Sequence, residues 1–172
     1  MARFSLSKWY MDCITDSGDI SIAYTGTINW RRAHLSYSTI LESVSGRLTT
    51  NHSTRKPEKP EIHGDSVSWS SKPLHVQASW QALSPGLRET IFRCDDGSVE
   101  WHCSAPCAQA QFRGRCGLGY VDRITMTLPP WKLPIQYLRW GHFASQADWV
   151  VWIDWQGEFC RKLVFLNGKS AN

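Results

Sequence analysis

"DWVVWIDW", residues 148–155, sorts its side chains into two alternating sets. Trp149, Val151, Ile153 and Trp155 fall on one side and Val150, Trp152 and Asp154 on the other, a period of two that belongs to a strand. The same alternation runs through "LHVQASW" at 74–80, where Leu74, Val76, Ala78 and Trp80 oppose His75, Gln77 and Ser79. It recurs in "SVEWHC" at 98–103, where Val99, Trp101 and Cys103 oppose Glu100 and His102. Such half-apolar runs are antiparallel strands with one face on a core.

Turn signals separate the runs at short intervals: "DSGD" at 16–19, "SPG" at 84–86, "DDGS" at 95–98, "WQGE" at 155–158 and "LNGK" at 166–169. The pattern predicts an all-β antiparallel meander in one domain spanning 1–172. Strands are expected near 8–15, 19–30, 34–43, 65–71, 74–83, 87–94, 98–104, 107–112, 118–127, 136–143, 148–155 and 159–166. That many strands favour closure into a barrel, or a sandwich, to remove exposed edges. The polar, basic, proline-containing segment 45–65 reads as a mobile loop. At the end, "EFCRKLVFLNGKSAN" runs into an Asn-Gly hairpin signal with no evident return strand, which points to the front part of a longer protein.

Composition narrows the function. Ten tryptophans in 172 residues call for a large aromatic core or an aromatic-lined cavity. The net charge of +4, spread without runs of like charge, is too weak for nucleic acid, so "WKLPIQYLRWGHF" is not read as a single-strand binder. No apolar run resembles a secretory signal or a membrane span, which reads as a cytoplasmic protein, with peripheral membrane contact left open. Six cysteines in a chain rich in core residues are expected as thiols. "CSAPC" beside His102 lacks the second close pair that a structural zinc site needs, so no metal is assigned.

The stretch 117–143, "GLGYVDRITMTLPPWKLPIQYLRWGHF", carries the candidate chemistry. Three prolines at 129, 130 and 134 deny ladder donors, so the strand must stop near Thr127, cross over, and resume at Gln136. Gly117 and Gly119 mark a bulge or a close backbone approach, since no helix follows to make a phosphate loop. Tyr120 and Asp122 lie two apart, on one face of a strand. On spacing alone they could equally be an ordinary strand pair. His102 and His142 both sit beside tryptophans, where a hydrogen-bonded structural histidine is the simpler reading.

"KWYMDCITDSGDISIAYTGTINW", "VEWHC", "GLGYVDRITMTLPPWKLPIQYLRWGHF" and "WVVWIDWQG" together resemble the carotenoid 1,2-hydratase family and its lipocalin-like relatives. The resemblance implies a lipocalin-like fold of two β-barrel-type halves, of which this chain would be the first. It also implies acid-catalysed addition of water to an isoprenoid double bond, without metal or organic cofactor. Asp122 would be the acid, Tyr120 its hydrogen-bonding partner, and His102 would orient the water or the acid. Trp101, Trp140 and Trp152 would face the developing cation. Burial among aromatics would raise the Asp122 pKa, whereas an inward-turned Arg123 would lower it and spoil the acid. A lipocalin-like barrel that merely holds a hydrophobic small molecule is the alternative.

Overall fold

The computed structural model describes residues 4–55 and 57–171, and they form fourteen antiparallel strands and one 3-10 turn. The strands are β1 (Ser5–Ile14), β2 (Ile20–Trp30), β3 (Ala33–Val44), β4 (Arg47–Ser53), β5 (Glu61–His63), β6 (Ser66–Ser71), β7 (Val76–Ala82), β8 (Leu87–Cys94), β9 (Gly97–Phe112), β10 (Arg115–Met126), β11 (Tyr137–Ala144), β12 (Trp149–Gln156), β13 (Arg161–Leu166) and β14 (Lys169–Ser170). A ten-stranded sheet runs β4-β3-β2-β1-β10-β9-β7-β6-β5 with β8 also on β9, and a four-stranded sheet runs β11-β12-β13-β14.

The period-two pattern gives the large sheet two buried faces. Trp9, Met11 and Cys13 of β1 enter one core with Ile40, Val67, Trp69, Trp80, Phe112 and Val121. Residues of β3 and β6 meet in this core although they lie far apart in strand order, so the sheet curls around it. Glu42 ties the curl by pairing with Arg113 and Arg115 from the β9–β10 hairpin. The sheet nevertheless stays open, because β4 and β5 pair only with β3 and β6 and not with each other. The expected barrel closure is therefore not formed.

The opposite face of the large sheet packs on the small one. Trp101, Cys103 and Tyr120 share the second core with Trp149, Val151, Ile153 and Trp155, the four residues whose alternation was legible from the start. The crossover between sheets falls in the proline segment: β10 ends at Met126, Pro130–Lys132 form the 3-10 turn, and β11 begins at Tyr137.

Three expectations are corrected. Segment 45–65 is not a plain loop; its residues include β4 and β5, the two edges of the large sheet, and Ser45 and Gly46 supply the positive φ values of a tight hairpin. The strands expected at 98–104 and 107–112 are one strand, β9. Its register against β10 slips on both sides of Val121, and Pro106, which has no N–H to offer, falls within the slip between Gly119 and Val121. At this irregularity β9 exchanges its other neighbour from β8 to β7. The Asn-Gly turn does have a return strand, the two-residue β14.

Candidate active site

β1 and β10 are neighbours, and their register places Tyr10 opposite Asp122 and Asp12 opposite Tyr120. Each strand thus carries Tyr-x-Asp, the two copies run in opposite directions, and both point toward the small sheet. Tyr120 donates its hydroxyl to Asp122 Oδ2 at 2.7 Å. Tyr10 does the same to Asp12 Oδ2 at 2.9 Å. Period two explains each contact, since residues i and i+2 share a face of the strand.

Other elements complete the two carboxyl environments. Trp101 of β9 donates its indole N–H to Asp122 Oδ2 at 3.0 Å. His142 of β11 approaches Asp12 Oδ2 with Nε2 at 2.6 Å, and its ring stacks on Tyr120 with centroids 4.2 Å apart and planes 5° from parallel. His142 Nδ1 and Asp12 Oδ1 are buried without a protein hydrogen-bond partner. Asp12 and Asp122 are only 2% and 4% exposed, so neither carboxyl has bulk water to solvate it.

A cavity of about 370 Å³ opens beside these groups, lined by Lys8, Tyr10, Tyr24, Tyr120, Asp122, Ile124, Trp140, Gly141 and His142. Trp140 meets Trp101 edge to face at 5.9 Å. The cavity is therefore aromatic with a few converging polar groups, the usual make-up of a small-molecule site.

Burial dominates the Asp122 carboxyl and raises its pKa to about 6. The hydrogen bonds from Tyr120 and Trp101 and the nearby His142 pull the other way, while Asp12 adds to the rise. Tyr120 and Tyr10 are pushed up by burial and by the adjacent carboxylates, so both stay phenols that donate. Arg123 does not spoil this balance. It lies one residue on, facing the other way, with its guanidinium over the Trp9 ring at 5.1 Å.

Glycine makes the close strand approach possible. A side chain at Gly119 would strike the Asp12 carbonyl and come within 2.8 Å of the Trp80 ring, whose N–H donates to that same carbonyl at 2.6 Å. The glycine pair is thus a close backbone approach beside a register slip, as the sequence implied.

Of the residues singled out from sequence, Tyr120, Asp122, Trp101 and Trp140 come together. His102 does not join them. It follows Trp101 and so faces the opposite side of β9, opposite Arg123 and Arg88, where burial and those two cations lower its pKa. Trp152 lies on the outer face of β12, partly exposed, with its ring packed over Gly141. Three residues of the cluster were missed. "YMD" at 10–12 repeats the spacing of "YVD" at 120–122, which was the available signal for Tyr10 and Asp12, and His142 lies in the "WGHF" that closes the stretch 117–143.

No family model and no curated protein matches the sequence. The structure is similar to that of kievitone hydratase from Nectria haematococca, with a TM-score of 0.56 at 7% identity over 96% of this chain and 62% of that one. It is also similar to a protein named AttH from Nitrosomonas europaea, with a TM-score of 0.51 at 9% identity over 98% of this chain and 67% of that one. The fold is lipocalin-like and shared with a hydratase. The chain spans less than two-thirds of the kievitone hydratase chain.

Proposed function

We propose that the protein is a cofactor-free hydratase that adds water to an isoprenoid double bond, in the manner of the carotenoid 1,2-hydratases it resembles, with Asp122 as the acid. One observation carries the reading: a buried carboxyl with a pKa near 6 forms part of the wall of an aromatic cavity, beside a second carboxylate–histidine pair. Both donors to Asp122 meet Oδ2, which leaves Oδ1 as the oxygen that carries the transferable proton.

In the reaction, the O–H bond of Asp122 breaks and its proton adds to the less substituted alkene carbon. The tertiary cation so formed faces the rings of Trp140, Tyr10 and Tyr24, a contact worth about 0.5–2 kcal/mol per ring, the upper end applying when desolvated. Asp12 holds His142 as the Nε2–H tautomer, and Nδ1 then accepts a proton from the water that attacks the cation. The new C–O bond gives a tertiary alcohol, and the proton taken up at His142 returns to Asp122 through solvent. The water-orienting role thus moves from His102, on the far face of β9, to His142.

The cavity accommodates the end of an isoprenoid chain rather than a whole long polyene, so the hydrated bond is a terminal one. Incorporation of labelled water into isoprenoid alkenes by the wild type and by Asp122→Asn tests the reading. The second reading is a binder without chemistry. It is favoured by the satisfied hydrogen bonds on Asp122 Oδ2, which would also serve a structural carboxyl.

A further inference from the structure

One cation in the cavity wall has no use in the chemistry above. Lys8 shares the inward face of β1 with Tyr10 and Asp12, and lies opposite Ile124, one inward position beyond Asp122. Its ammonium rests over the Tyr24 ring at 4.5 Å, and none of the ion pairs among the described residues includes it. A half-buried ammonium packed on a ring face and outside any direct ion pair is costly unless something supplies a negative oxygen at close range. We infer that the ligand carries an anionic oxygen, which Lys8 binds a few carbons from the double bond that Asp122 protonates. This rests on the hydratase reading for the second clause only.

The charge balance supports it. Burial lowers the Lys8 pKa, and the Asp122 carboxylate is the charge that opposes this. The acid form that protonates an alkene is neutral, so in the productive state Lys8 loses that counter-charge and the ligand's oxygen replaces it. The groups around this exchange are Tyr10 and Asp12 of β1, Tyr24 of β2, Trp101 and Cys103 of β9, Tyr120 of β10 and His142 of β11. The other carboxylate among them, Asp12, is paired with His142, and Asp122 is the carboxylate that acts on Lys8. A purely hydrocarbon ligand would leave the ammonium stranded. Spacing fits too: one inward position along a strand is about 6–7 Å, the length of a short isoprenoid tail.

The test compares two probes with one carbon skeleton, geranic acid and geraniol, by titration calorimetry at pH 7.5. The wild type should bind the carboxylate about tenfold more tightly than the alcohol. Lys8→Met should remove that preference by weakening the carboxylate alone, and Lys8→Arg should retain it. Asp122→Asn should keep or enlarge the preference, since it removes a competing negative charge and leaves the ammonium. Failure of hydration therefore leaves this result intact, and the two ideas fail separately. Equal affinity of the wild type for both probes, no measurable binding of geranic acid, or a preference that survives in Lys8→Met would overturn the inference.

Discussion

Asp12 and Asp122 sit on paired strands, and each accepts the hydroxyl of the tyrosine two residues before it, so that the Tyr-x-Asp steps of β1 and β10 interlock head to tail. The two carboxyls are nevertheless unlike. Asp12 accepts a phenol hydroxyl and faces His142, whereas Asp122 accepts a phenol hydroxyl and an indole N–H. Pairs of acids held in different environments are how one site runs acid and base steps at the same pH.

The pH dependence follows from Asp122. Its proton is present below about 6 and lost above, so kcat/KM should fall about tenfold per pH unit on the alkaline side. The Tyr120 hydrogen bond favours the carboxylate, so Tyr120→Phe should shift that break to higher pH. Profiles of the two proteins with one substrate check this; an unmoved break would show that Tyr120 does not hold the acid.

Stability should carry the same signature. The folded protein keeps the Asp122 proton up to about 6, while the unfolded chain releases it near the ordinary Asp value of 3.8. As pH rises through that window the unfolded state ionises first, and this group's share of stability is lost. Asp122→Asn does not titrate and keeps an acceptor for Tyr120 and Trp101. It should therefore be about 2–3 kcal/mol more stable than wild type at pH 7.5, with the gap closing toward pH 4. Urea unfolding at the two pH values measures it.

His142→Phe should separate water capture from ligand binding. The phenyl ring keeps the stack on Tyr120 but offers no Nδ1 to accept a proton. Turnover should drop by about 100- to 10,000-fold, the usual worth of a general base, with alkene affinity within about threefold of wild type. Rate and affinity measured side by side decide the matter.

The fold was legible where period and punctuation agree. "DWVVWIDW" gives the inward face of β12 residue by residue, and the prolines at 129, 130 and 134 give the crossover. The edge strands β4 and β5 were not legible, because an edge exposes both faces and its polar sequence looks like a loop. In the site, spacing put Tyr120 and Asp122 on one face of a strand, and only the family resemblance singled them out as candidates. The partners Asp12 and His142 lie 110 and 20 residues away from Asp122, and only the β1–β10 register and the packing of the second sheet bring them in. His102 lies apart from the cluster for a local reason: one step along a strand reverses the face.

The central claim is that Asp122 delivers a proton to carbon, and it is tested most directly by isotope. Wild type and Asp122→Asn are incubated at pH 6 with isoprenoid alkenes in ¹⁸O-labelled water, and the products are read by mass spectrometry, with binding of the same compounds measured in parallel. The wild type should yield a tertiary alcohol carrying the heavy oxygen, and the variant should bind the alkene without converting it. Undiminished labelling by Asp122→Asn, or a wild type that binds and never hydrates, would contradict the account.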